Sequence, residues 1–213
     1  TKNVLGESPV WSTRDQALYW ISAPEEEVWT WNGQDPAYRR LVGTALGCVA
    51  SMEGPPGSLV LAGERAFLQV QMVADSGDFA TGPEILCERP EQSDVTRPND
   101  GRVDRQGRLV FGMYNNYHRS SVGDANVCGL YRLGENCALE SLLADDSSLQ
   151  YRVSNCICFP EAGDTMFFCD TPTRKIYQFD YPKGKTGKLS NRRLVWTMPS
   201  NWRGGPDGAQ VGA

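Results

Sequence analysis

Four oxygen-bearing side chains, Glu7, Asn99, Asn155 and Asp207, stand at polar bends that each lead into a short strand-like run. Their separations are 92, 56 and 52 residues, so a repeat of about 46 to 56 residues accounts for all of them if the first gap holds two units. Two of the four are carboxylates and two are amides. Oxygen ligands gathered without sulfur or imidazole suit a hard divalent cation, Ca²⁺ first, with Mg²⁺, Mn²⁺ or Zn²⁺ as alternatives. The same residues read equally as unrelated turn formers, because Asn and Asp ahead of Gly are common in turns.

The bend at Asn99 is the most tightly punctuated. Pro98 drives Arg97 out of the helical region, and Asn99-Asp100-Gly101 reads as a tight turn. A second turn over Asp104–Gly107 then leads into the apolar run Leu109-Val110-Phe111. The expectation is a polar pair, Arg97 and Asn99, held on a rigid bend at the mouth of a strand.

The elements that must carry these bends are strands. With 22 Gly and 13 Pro, the chain breaks into short alternating or wholly apolar runs, and almost nothing has helical period. Ala17–Ile21, Glu27–Trp31, Ser58–Gly63, Ala66–Val70, Gly129–Leu133, Val153–Phe159, Thr165–Asp170, Arg174–Asp180 and Arg193–Trp196 are the clearest strands. The stretch around Met52 is the least legible. About four strands per repeat is the mark of a β-propeller, and the chain holds four blades plus the start of a fifth at Gly204–Gly208. Equivalent positions in successive blades point at one central channel, so Glu7, Asn99, Asn155 and Asp207 are expected to converge there.

Other features carry less chemistry. Glu25, Glu26 and Glu27 read as a solvated connection. His118, the one histidine, lies in a polar insertion over Tyr114–Asn126 and has no triad partner near it in sequence. Cys156 and Cys158 lack the two-residue gap of a zinc or redox pair and read as small buried hydrophobes. An odd count of seven cysteines argues against a disulfide framework and favours the cytoplasm or another reducing compartment.

At 213 residues and 23.5 kDa the chain is long enough for a single domain over residues 1–213 with a substantial core. A net charge of -5 and a pI near 5.0 argue against a nucleic-acid partner. No apolar run reaches the roughly 18 residues of a membrane span, and no signal peptide is visible at Thr1.

Taken together, Leu5-Gly6-Glu7-Ser8-Pro9-Val10-Trp11, Arg97-Pro98-Asn99-Asp100-Gly101 with Asp104, Gly107-Arg108 and Gly112, Ser154-Asn155, Phe179-Asp180-Tyr181, Ser190-Asn191-Arg192-Arg193 and Pro206-Asp207-Gly208 resemble the regucalcin/gluconolactonase family in order and spacing. The resemblance implies a six-bladed propeller with a divalent metal in its channel, and a sugar lactone as substrate. It implies Glu7, Asn155 and Asp207 as metal ligands, Arg97 and Asn99 as substrate contacts, and Asp207 as general base. Two departures stand out. The acidic residue that family members often carry beyond the third-blade strand is absent from Met113-Tyr114-Asn115-Asn116-Tyr117, and only Ala209–Ala213 follow the Pro-Asp-Gly. They keep a second reading open: a non-catalytic propeller relic serving as a binding or accessory subunit, its open edge covered by another chain.

Overall fold

The computed structural model describes residues 2–34, 36–90, 94–120, 127–143 and 151–212. Within them lie sixteen strands and no α-helix. The strands form four antiparallel meanders, each of four strands. The chain divides into two compact units, residues 1–92 and 93–213.

In the first unit, β1 (Gly6–Ser12), β2 (Ala17–Ser22), β3 (Glu27–Trp31) and β4 (Tyr38–Leu41) make one sheet. β5 (Leu46–Ser51), β6 (Ser58–Gly63), β7 (Ala66–Met72) and β8 (Phe79–Glu88) make the next. Their inward positions build one core, with Ala17, Tyr19, Ile21 and Val28 packed with Leu46, Val49, Leu59, Leu61, Val70 and Met72. β6 is buried along its whole length, which is why it reads as an unbroken apolar run. β4, β5 and β8 carry no clear alternation and escape a sequence reading. Glu27 opens β3 and its side chain meets Arg39 at 2.8 Å, while Glu25 accepts from the Ser22 hydroxyl at 2.5 Å. Glu25 and Glu27 are therefore tied down, and all three acids are half-buried rather than freely solvated.

In the second unit, β9 (Thr96–Val103), β10 (Leu109–Asn115), β11 (Leu130–Leu133) and β12 (Leu139–Ser141) form one sheet. β13 (Ser154–Cys158), β14 (Thr165–Asp170), β15 (Lys175–Asp180) and β16 (Ser190–Thr197) form the other. Asp104 closes the β9–β10 turn, its Oδ1 accepting the Gln106 and Arg108 amides at 2.9 Å each. Its Oδ2 takes the Tyr181 hydroxyl and Arg108 Nε, both at 2.7 Å. Arg132, 2% exposed, completes this knot by donating to Glu140 at 2.5 Å and to the Pro182 carbonyl at 3.0 Å. Asp180 likewise gathers Asn191 and Arg193, each at 2.6 Å. Several of the motif residues thus serve folding, since a buried charge is tolerated only when paired and hydrogen-bonded.

Arg97–Gly101 departs from expectation. It is not a tight turn but the middle of β9, paired with β10 on both sides of a bulge: Pro98 faces Met113, Gly101 faces Phe111, and Asn99-Asp100 is the extra step. The polar side chains that would close a local turn reach across to β13 instead. Asn99 donates to the Ser154 carbonyl at 3.0 Å, and Asp100 accepts the Ile157 amide at 2.8 Å. Tertiary hydrogen bonds win over the local ones.

The bulge recurs. The first strand of every sheet carries one extra residue against the second: between Glu7 and Val10, Leu46 and Cys48, Pro98 and Gly101, and Asn155 and Cys158. Glu7 and Asn155 occupy the same register position, each followed by a residue with φ in the left-handed region, Ser8 at 54° and Cys156 at 58°. Asn99 sits one step further along its bulge. The bends expected ahead of the strands are therefore bulges within them, and bulges of this kind re-aim side chains.

Candidate functional site

The second unit assembles a polar cluster around Asn155. This side chain is 5% exposed, so each of its polar atoms needs a partner. Its Nδ2 donates to the Thr171 hydroxyl at 2.8 Å, and that hydroxyl donates onward to the Pro206 carbonyl at 2.8 Å. Because the Thr171 proton is committed to Pro206, its oxygen must accept from Asn155, and the amide orientation is fixed. Oδ1 then points the other way and accepts from Asn99 Nδ2 at 3.3 Å.

Asp207 reaches the cluster through its main chain. Its carbonyl accepts the Cys156 amide at 3.1 Å and the Cys156 thiol at 2.9 Å. The stretch expected to open a fifth blade, Gly204–Gly208, forms no strand but lies along β13, and the Asp207 side chain is exposed. Gly112 lets β10 come close on the other side, since a Cβ there would fall 2.1 Å from Ser154 Cβ.

Asp100, which sequence reasoning passed over, belongs to the same cluster. Burial pushes its carboxyl up to about 6 and the charge of Asp207 adds to this, while the Ile157 amide, Arg102 and the Gly101 amide oppose it. Arg102 itself donates to the Ala209 carbonyl at 3.1 Å. The signal for Asp100 lay in Asn-Asp-Gly itself: two adjacent polar side chains on an extended strand point to opposite faces, and only a bulge can bring both to one neighbour. Thr171 had no such signal.

Arg97 is half-buried and directs its Nη1 toward the Pro98 carbonyl at 3.3 Å and Asn99 Oδ1 at 3.5 Å. Its guanidinium lies over the Tyr114 ring, 4.0 Å from the centroid. His118 meets that ring edge-on at 4.8 Å, so it is packed and half-buried rather than an idle loop residue. The remainder of the insertion, residues 121–126, lies outside the described residues. Cys156 and Cys158 are buried, as expected for small hydrophobes, and Cys169 is buried as well.

The structure thus brings Asn99, Asn155, Asp100 and the Asp207 backbone together, with Arg97 beside Asn99. Glu7 belongs to the first unit, half-buried at its bulge, where the neighbouring Ser8 hydroxyl accepts the Val49 amide at 3.0 Å. Among the described residues, no three His, Cys, Asp or Glu side chains are grouped to hold a metal by themselves. The side chains gathered at Asn155 offer oxygens rather than sulfur or imidazole, a chemistry that suits a hard cation better than a thiophilic one.

Among proteins of known name, the chain is 34% identical to an L-arabinolactonase of Azospirillum brasilense, over 99% of its own length and 65% of the relative's. It is 30% identical to regucalcin of Danio rerio, over 97% of its length and 64% of the relative's. The chain therefore spans a little under two thirds of these relatives. Among solved structures, a luciferin-regenerating enzyme superposes with a TM-score of 0.83 at 21% identity, covering 99% of this chain and 66% of that one. The meanders are blades, and the fold is the β-propeller of these proteins. A sequence profile described as the SMP-30/Gluconolactonase/LRE-like region matches residues 5–213, and the chain belongs to that family.

Proposed function

We propose that the protein is a metal-dependent hydrolase of sugar lactones, built as one propeller domain over residues 1–213. The observation that supports it most is the fixed Asn155 amide, whose Oδ1 faces Asn99. Lactonases among its relatives point to the same substrate class. Asn155 and Asp207 would hold one divalent cation, with Glu7, at the matching bulge position of the first sheet, as the third ligand. Ca²⁺ is the first choice, ahead of Zn²⁺, Mg²⁺ and Mn²⁺. Such a cation supplies Lewis acidity toward the lactone carbonyl.

The chain's own residues do the rest. Asp207, an exposed carboxylate on a backbone anchored to Cys156, takes a proton from the attacking water as general base. Arg97 offers a planar set of donors to sugar hydroxyls or to the product carboxylate. Asn99, anchored on Ser154, presents its Oδ1 to substrate. The expected ligand is the lactone, in the cytoplasm or another reducing compartment.

The test is hydrolysis of D-glucono-1,5-lactone with Ca²⁺, Zn²⁺, Mg²⁺ or Mn²⁺ added to chelator-treated protein. A cation should raise the rate, and Glu7→Gln should abolish the gain. Equal rates with and without every cation would sink the proposal. The accessory-subunit reading draws on the exposed Leu194, Val195, Trp196 and Trp202 on and beyond β16, and native mass of the purified protein separates the two.

A further inference from the structure

We infer that Tyr114 is a positioning residue for Arg97, setting where the guanidinium meets the substrate; this rests on the lactone-binding role proposed for Arg97. The two are cross-strand partners, Arg97 on β9 and Tyr114 on β10, so their side chains leave the same face of the sheet. The guanidinium carbon lies 4.0 Å from the ring centroid, within the range where a cation is attracted to an aromatic face. An arginine has a long, freely rotating side chain, and a planar donor recognises ligand well only when its plane is held.

The ring is itself held. His118 packs edge-on against it at 4.8 Å and 81°. That histidine closes a turn through its amide, which donates to the Asn115 carbonyl at 3.0 Å. Its Nδ1 also donates to this carbonyl at 3.1 Å, because a carbonyl can only accept. Nε2 is thereby left as the acceptor for Arg119 Nε at 3.2 Å. Asn115 anchors the turn from within: it is 1% exposed, its amide donates to the Arg152 carbonyl at 2.7 Å, and its Oδ1 accepts the Tyr117 amide at 2.9 Å. A buried turn thus supports His118, His118 supports Tyr114, and Tyr114 seats Arg97.

The experiment compares Tyr114→Phe, which keeps the ring, with Tyr114→Leu, which keeps bulk without a π-face. For lactone hydrolysis, Tyr114→Leu should raise KM about five- to tenfold with kcat within about twofold, the size of one cation–π contact, and Tyr114→Phe should match wild type. In parallel, the Arg97 Nε–Hε NMR signal, assigned by its loss in Arg97→Lys, should move in Tyr114→Leu as the ring current disappears and stay in place in Tyr114→Phe. An unchanged KM in Tyr114→Leu, or one altered equally in both variants, overturns the inference while leaving the lactonase proposal intact. If wild type hydrolyses no lactone with any cation, that proposal falls, and the Arg97 signal alone decides: movement in Tyr114→Leu supports the seat, and no movement ends it.

Discussion

Asn99 Nδ2 donates to Asn155 Oδ1 across 3.3 Å, although 56 residues separate the two. They sit on the first strands of adjacent sheets in the second unit, and each is placed by the extra residue in its strand. The contact joins one residue read as a substrate contact to one read as a metal ligand. It also leaves Asn155 with both amide ends committed and no freedom to flip.

Replacing Asn155 by alanine therefore removes more than one bond. Asn99 and Thr171 each lose a partner in a buried setting, which costs about 1–3 kcal/mol of stability. The expected result is a lowered midpoint in denaturant unfolding and at least a hundredfold loss of kcat/KM for lactone hydrolysis. An Asn155→Ala protein with wild-type turnover would remove this residue from the site.

Asp207 separates main-chain from side-chain roles. Its carbonyl holds the Cys156 amide and thiol, whereas its carboxylate is exposed. Asp207→Asn keeps the carbonyl and loses the base. Thermal stability should stay within about 0.5 kcal/mol of wild type, as for most surface changes. kcat should fall by roughly 10²–10⁴, the range of a general base. A large loss of stability with intact kcat would assign Asp207 to folding instead.

Gly112 is required by distance, because an added Cβ would lie 2.1 Å from Ser154 Cβ and 2.5 Å from its hydroxyl. Gly112→Ala should destabilise the protein by about 1–3 kcal/mol through overpacking. Since the clash is with the Ser154 side chain, adding Ser154→Gly should restore part of that loss. Non-additivity in the double-mutant cycle, measured by urea unfolding, is the check.

Acid stability should depend on Asp15 in the first unit. Arg14 donates to it at 2.7 and 3.1 Å, holding its carboxyl down at about 2. The folded value lies below the ordinary one of 3.8, so the unfolded chain binds the proton more readily. The stabilisation is therefore present above about pH 4 and is lost as pH falls toward 2. It amounts to no more than about 2 kcal/mol, reduced by the partial exposure of Arg14. Asp15→Asn should flatten unfolding free energy across that window; an unchanged slope would show that the pair contributes nothing.

Much of this was legible beforehand because strand chemistry is local. β2, β3, β6, β7, β14 and β15 announce themselves through alternation or unbroken apolar runs between Gly, Pro and Asp breakers. β4, β8 and β12 are hard to read because their side chains are mostly outward-facing or partly exposed, and β5, though buried, has no alternation; the pairing of all four comes from neighbours rather than from their own pattern. Pro98-Asn99-Asp100-Gly101 was misread for a related reason. Its residues do favour a turn, but β10 offers the backbone a ladder and β13 offers the side chains partners, and both outweigh the local preference.

By itself, the order of residues settled the all-β character, the repeat and the family motifs, since each depends on short-range preference or on a spacing that survives in one dimension. Only the tertiary structure decided that Asn99 stands one step out of register with Glu7 and Asn155, that Asp100 shares the site, and that Tyr114 lies beneath Arg97. Those facts hang on a single extra residue per first strand and on contacts between sheets, and a hydrogen bond formed 56 residues away leaves no trace in local composition.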